Sequence, residues 1–421
     1  ARLCHSPSVA GLVQSFGSGA MTSSSKDLGD ARCIFAIGTN TTAAHPIIGL
    51  QVMRSIRAGG KLIVVNPRAI ELARHADLFI QNRAGSDVAL LMGMMRVIVD
   101  EGLHDAQFIE ARCENFEAFR ESLAEYDEAT VEEKTGVPFA QVAEAARMYA
   151  QNSPAAILYA MGITQHTHGT DNVLATSNLA MLTGNVGLPS GGVNPLRGQS
   201  NVQGACDMGA LPNVYPGYQK VDLPEVKAKF EQAWGVELDD APGLTHLEIL
   251  RGVTAGPIRA IYLVGENPAL SEADATHARE AMEKVDFLVV QDIFRTESAE
   301  YADVVLPAAS FAEKDGTFTN TERRVQRVRK AIPPVGDSRD DAWITCAIAR
   351  RMGEAGFDFE TAEQVMEEIA SLTPSYGGIT HDRIDRVGLQ WPCPGASHPG
   401  TRFLHACLLY TSDAADDLQP V

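Results

Sequence analysis

Twice along the chain a short apolar run breaks at a glycine with an asparagine two residues later, and each time two further apolar runs follow in the same order. The first set is 34–38 opening into Thr39-Asn40, then 61–65 ending at Asn66-Pro67-Arg68, then 76–80. The second is 260–264 running into Gly265-Glu266-Asn267-Pro268, then 287–290 into Gln291-Asp292, then 302–307. Runs of this length, bounded by Gly, Pro and Asn, read as buried strands. Helical spacing is predicted around them, over 46–57, 87–101 and 141–151, with a strand at 155–162 and a helix stopping at Gly184-Asn185-Val186-Gly187. Strands alternating with helices bury both faces of a parallel sheet. The chain is therefore expected to be α/β, with two doubly wound, Rossmann-like halves of similar plan joined near 198–218.

In such sheets ligands bind beyond the carboxyl ends of the strands, where glycine permits close backbone approach and a helix N-terminus favours phosphate. Two halves predict two similar nucleotide-like ligands, although in either half alone Gly-x-Asn serves equally well as a tight turn. No complete G-x-G-x-x-G follows any of these strands, which argues against a simple NAD domain.

A formal charge of −19 disfavours a nucleic-acid partner and gives an anionic substrate no long-range help, so local positive groups must hold it. No apolar run approaches the roughly 18 residues that cross a bilayer, so direct membrane insertion is not expected. The seven cysteines are scattered, odd in number and never spaced C-x-x-C, which disfavours a disulfide framework or a zinc ribbon. Reduced thiols in a cytoplasmic protein are the expectation. The sequence begins at Ala1, so an upstream segment, and with it a periplasmic address, stays open.

Two stretches offer chemistry. Cys4-His5 places a soft thiol beside an imidazole ahead of a Ser-Pro turn, a pair that taken alone is more often packing than function. Residues 191–209 form a crossover rich in glycine and amides. There Arg197 offers a planar fork suited to a carboxylate, where a surface salt bridge is the ordinary alternative, and Gln199 a neutral donor and acceptor.

Cys4-His5-Ser6-Pro7-Ser8-Val9-Ala10-Gly11-Leu12, the run from Asn194 through Arg197-Gly198-Gln199 to Cys206-Asp207-Met208-Gly209, and Gln291-Asp292-Ile293-Phe294 together closely resemble the catalytic subunit of molybdenum- or tungsten-dependent formate dehydrogenases. The likeness extends to about Pro394. It implies the molybdopterin oxidoreductase (DMSO reductase-like) fold and interconversion of formate and CO2. It also implies a metal held by two molybdopterin guanine dinucleotides (bis-MGD). By the same resemblance, Cys4 is the metal ligand, His5 the proton acceptor, Arg197 the residue orienting formate, and Gln199 a pocket residue. Gly38, Asn40, Asn66 and Arg68 in one half, and Gly265, Glu266, Asn267, Gln291 and Asp292 in the other, fall where the family's dinucleotides lie. Many relatives carry Asp where Asn66 stands.

The family's N-terminal cysteine motif for a [4Fe-4S] cluster and its C-terminal dinucleotide clamp have no counterpart here, so a central fragment is expected. Expressed alone, it is expected to hold no molybdenum and to show no formate-dependent dye reduction. Electron-transfer subunits, iron–sulfur, NAD-linked or hydrogenase-linked, are the implied partners. The expected division is 1–199 as a cofactor-binding domain carrying Cys4 and Arg197, 200–340 as a second, incomplete one, 341–405 as a helical extension, and 406–421 as a tail that reads as translated sequencing adapter. The alternatives are another molybdopterin oxidoreductase, such as a nitrate reductase, and a non-catalytic scaffold subunit of the same fold.

Overall fold

The computed structural model describes residues 4–406; the adapter-like tail from 407 onward, with Cys407, lies outside the described residues. Cys33–Ile37 (β1), Lys61–Val65 (β2), Leu78–Ile80 (β3), Ala155–Tyr159 (β4) and Gly192–Pro195 (β5) form one parallel sheet in the order β3-β2-β1-β4-β5. The winding direction reverses between β1 and β4, the place where such sheets open a crevice for ligands.

Side chains alternate across this sheet with period two. Cys33, Phe35 and Ile37 of β1 join Ile63 and Val65 of β2 and Ile157 and Tyr159 of β4 in one core. Helices Asp87–Asp100, Phe139–Gln151 and Gly169–Leu182 close that core with Leu91, Val142 and Leu179. Ile34, Ala36, Leu62, Val64 and Leu158 point the other way, onto Ile48 and Val52 of helix Pro46–Arg57. Burial on both faces explains why these strands are unbroken apolar runs.

β5 and the helix Val202–Asp207 lie inside the stretch predicted to be a crossover loop. Only Val193 of β5 is strongly apolar; the strand is held by Asn194, whose Nδ2 donates to the carbonyls of Ile157, Gly191 and Gly192 at 3.2–3.3 Å. The strand expected over 155–162 ends at Tyr159, and a short helix begins at Met161.

After a small hairpin, Val214–Tyr215 (β6) and Gln219–Lys220 (β7), the first plan returns. Ala260–Val264 (β8), Phe287–Asp292 (β9) and Val304–Pro307 (β10) form a parallel sheet in the order β10-β9-β8. The repeat reaches single hydrogen bonds. Gly38 N–H donates to Val65 O at 3.1 Å and Gly265 N–H to Gln291 O at 2.9 Å, both glycines at positive φ. Asp77 accepts from Leu62 N–H at 2.9 Å and Asp303 from Leu288 N–H at 2.8 Å. One face of this sheet packs through Leu288 and Val290 against Met282 of helix Ala275–Lys284. On the other, Tyr262, Val264, Phe287 and Val304 are 37–47% exposed, while Gln291 on the same face is buried against Asp341, so that face is only partly covered.

Gly316–Thr319 (β11), Arg324–Val328 (β12) and Leu389–Gln390 (β13) make a third, antiparallel sheet. The region after residue 340 thus carries helices Asp341–Met352 and Ala362–Leu372, as expected, and also a strand. The β11–β12 turn clasps both ends of the described chain. Glu322 accepts from Ser24 Oγ and Ser25 N–H at 2.6 Å, and buried Arg323 donates to the carbonyls of Met21 and Thr401 at 2.9 Å, of Arg402 at 3.2 Å, and of Trp391.

Candidate active site

Cys4 and His5 lead into the helix Ser6–Phe16, which packs on helix Gly169–Leu182. Thr164, in the short helix after β4, donates its hydroxyl to Cys4 O at 2.5 Å. Leu196 and Arg197 continue β5 beyond its carboxyl end. The sheet therefore gathers the adjacent Cys4 thiol and His5 imidazole with the Arg197 guanidinium, 193 positions after Cys4, at its switch point.

Cys4 is half-buried, with Gln199 Nε2 3.8 Å from its Sγ. His5 is buried; its Nε2 lies 3.2 Å from Leu196 O and its Nδ1 2.8 Å from Ser8 Oγ. A carbonyl only accepts, so Nε2 carries the proton and Nδ1 accepts from Ser8. Tyr159 in turn donates to Ser8 Oγ at 3.0 Å, forming a chain Tyr159–Ser8–His5. Burial first, and then the Arg197 charge, lower the His5 pKa to about 3, so the ring is neutral near pH 7.

Arg197 is 4% exposed. Its Nη2 donates to Gly19 O at 2.9 Å, its Nη1 lies 3.7 Å from Cys206 Sγ, and its Nε has no partner among the described residues. His45 Nε2 donates to Arg197 O at 2.9 Å, and Thr321 Oγ1 accepts from Arg197 N–H at 3.2 Å, so the backbone is fixed while the guanidinium keeps unused donors. A buried donor left unpaired costs about 1–3 kcal/mol, which a small anion would offset.

The predicted dinucleotide positions divide in two. Gly38 is both at φ +58° and crowded: a Cβ there would fall 2.7 Å from the carbonyl carbon of Gly162. Gly265, at φ +63°, faces open space. The carbonyl oxygens of Asn40 and Asn267 each accept the first backbone bonds of a short helix, and Arg68 and Glu266 are exposed. Asn66 and Asp292 turn the chain after β2 and β9. Asn267 is already engaged by Glu297 and Ser298, and Gln291 by Tyr262 and Asp341, so these two side chains brace the second half from within.

No group of three or more His, Cys, Asp or Glu side chains is placed to hold a metal among the described residues. A lone half-buried thiol suits a metal whose other ligands arrive with a cofactor. The paired positive-φ turns at the ends of β1 and β8 fit a cofactor with two similar arms. His166 and His168, stacked at 5.4 Å just beyond β4, escaped the sequence reading, as did His45. Their place at the carboxyl end of a central strand was the available signal.

Residues 1–351 match the family described as "Molybdopterin oxidoreductase". The chain is 48% identical over 420 residues to the F420-dependent formate dehydrogenase 1 subunit alpha of Methanococcus maripaludis, covering 99% of this chain and 62% of that protein. It is 43% identical over 408 residues to formate dehydrogenase H of Escherichia coli, covering 96% and 57%. The chain thus spans less than two thirds of the length of these curated relatives. Among solved structures, acetylene hydratase from Pelobacter acetylenicus superposes with a TM-score of 0.73 at 21% identity, over 98% of this chain and 60% of that one, a likeness of fold.

Proposed function

Because the chain belongs to the molybdopterin oxidoreductase family, we propose that it forms the substrate-handling part of a formate dehydrogenase that interconverts formate and CO2. The observation that carries this reading is Arg197: a buried guanidinium with an unpartnered Nε, gathered with Cys4 and neutral His5 at one switch point. Formate offers little surface, so its orientation must come from charge-assisted hydrogen bonds, which the Arg197 fork supplies.

Oxidation of formate yields CO2, a proton and two electrons. A molybdenum or tungsten bis-MGD centre, when bound, supplies the two-electron acceptor. Cys4 is the residue that would ligate its metal. The turns at Gly38, Asn40, Asn66 and Arg68, and at Gly265, Glu266 and Asp292, would receive its two arms. His5 is the proton acceptor in this reading; its Nδ1 accepts from Ser8 Oγ, so taking up the proton there requires that hydroxyl to turn away from the ring. Gln199 lines the pocket beside Cys4. Beyond the site, the proposal extends to electron-transfer subunits and to a [4Fe-4S] relay elsewhere in the enzyme. No helix among the described residues is long and apolar enough to cross a membrane.

The test is dye reduction by the cofactor-loaded full-length enzyme, with formate as donor and, in a parallel assay with reduced dye, nitrate as acceptor. Formate-dependent turnover is expected. Turnover with nitrate and none with formate would replace this reading with that of a nitrate reductase.

A further inference from the structure

Asp207, at the end of helix Val202–Asp207, is 1% exposed and has no ion-pair partner among the described residues, yet both of its oxygens are fully occupied. Oδ1 accepts from Gln203 Nε2 at 2.7 Å and Tyr218 OH at 3.0 Å. Oδ2 accepts from Trp391 Nε1 at 2.7 Å and Tyr376 OH at 2.5 Å. An amide nitrogen and an indole can only donate, and the Tyr218 hydroxyl itself accepts from Gln203, so its proton goes to Asp207. Four donors use the four lone-pair directions of an ionised carboxylate.

The neighbour across this ring is Arg197, through Cys206, whose Sγ faces Nη1. Burial opposes the Arg197 charge. Burial raises all four groups that favour it, Tyr218, Cys206, Tyr159 and Asp207, but at Asp207 the hydrogen bonds from Tyr376, Gln203 and Tyr218 oppose that shift, and four donors on two oxygens are the set an ionised carboxylate takes. A buried guanidinium and a buried carboxylate left to themselves close into a bidentate pair, which would consume the donors of Arg197. Here they stay apart, each held by other partners.

We propose that Asp207 is a tethered counter-charge: it balances Arg197 but is held off it by Gln203, Tyr218, Tyr376 and Trp391, so that the guanidinium keeps its donors for a small carboxylate substrate. Asp207 is then a positioning residue, and the inference rests on Arg197 being the formate-binding group. Two of the four tethers, Tyr376 and Trp391, come from the segment after residue 373, which joins that region to the site.

The test uses the cofactor-loaded full-length enzyme. Tyr376→Phe removes one tether and keeps the charge. It is expected to raise the formate Kd and KM roughly tenfold, as the freed carboxylate competes for Arg197, with kcat nearly unchanged. Asp207→Asn removes the competitor, since the tyrosines and Gln203 can reorient around an amide. It is expected to lower the Kd, and Tyr376→Phe added to Asp207→Asn should then leave the Kd unmoved. An equal shift in both backgrounds, or no shift in either, overturns the tether. Should Asp207→Asn fail to fold, Trp391→Phe frees the same oxygen and must raise the Kd as Tyr376→Phe does; an unchanged value overturns the proposal. A crystal structure of the Tyr376→Phe enzyme reads the same point without formate: Asp207 is expected within about 4 Å of the guanidinium, and an unmoved carboxylate refutes the tether. Wild-type enzyme that binds no formate, while the carboxylate does move, instead removes the formate reading.

Discussion

Asn66 and Asp292 sit at the same place in two halves of one chain: the Oδ1 of each accepts a backbone N–H two residues on, from Arg68 and from Phe294, at 3.0 Å in both. The shared element is a side-chain oxygen that closes the turn after the second strand of each sheet. Asn66→Asp keeps that oxygen and is expected to change stability by less than about 0.5 kcal/mol, whereas Asn66→Ala loses the bond at a cost of about 1 kcal/mol. Urea unfolding of the two variants checks this; equal losses would show that the turn does not depend on the oxygen.

Arg197→Ala should raise the KM for formate by roughly 10- to 100-fold, the worth of one charged hydrogen-bonding group, with Arg197→Lys in between because it keeps the charge and loses the fork. Steady-state kinetics of the cofactor-loaded enzyme measure it. Cys4→Ala is expected to abolish turnover and to lower the metal content found by elemental analysis. Normal kinetics in both variants would remove the proposed site.

His405 gives a pH prediction. Burial lowers its pKa to about 3 from the ordinary 6.5, helped by Arg323 and Arg112, so the unfolded chain binds a proton that the folded one refuses. Stability should fall as pH drops from 6.5 toward 3, by about 1.4 kcal/mol per unit for this group, and recover as pH rises. Glu322 works in the same sense at lower pH. Held at about 2 by Arg324, Ser24 and Ser25 against the cost of burial, it adds stability that is lost between about 4.5 and 2. Denaturation across pH 5–6.5 should be shallower in His405→Gln by one proton; an unchanged slope would mean that His405 takes up its proton when folded.

Arg323 should be among the costliest residues to replace outside the site. Arg323→Met leaves four carbonyls of three separate segments without their donor and is expected to destabilise the fold by about 3–5 kcal/mol, since each buried acceptor left unpaired costs on the order of 1 kcal/mol or more. Thermal unfolding reads the loss, and a change under about 1 kcal/mol would show that water replaces the guanidinium.

The two repeated halves were legible because their strands are buried on one or both faces and therefore read as apolar runs. Cys4, His5 and Arg197 were legible as a motif, and the sheet explains how they meet. β5 was not, since Gly192, Asn194 and Pro195 carry no strand signal and Asn194 bonds to carbonyls of another strand. Asp207 was also silent: its partners Tyr376 and Trp391 lie 169 and 184 residues away, and nothing local marks a carboxylate as the hub of a ring. The same holds for Arg323, whose acceptors span Met21 to Arg402. The exposure of Tyr262, Val264 and Val304 in the second sheet could not be read either, because an apolar strand looks alike whether or not a layer covers it.

Gly38 and Gly265 close matching turns, but only Gly38 is pressed against another backbone, at Gly162. A library randomised at both positions would therefore give unequal survivors. Position 38 admits no side chain, since both its dihedral and its space exclude one, whereas position 265 asks only for a left-handed residue and would still return asparagine or aspartate. The two halves share one plan of hydrogen bonds without sharing one freedom to vary.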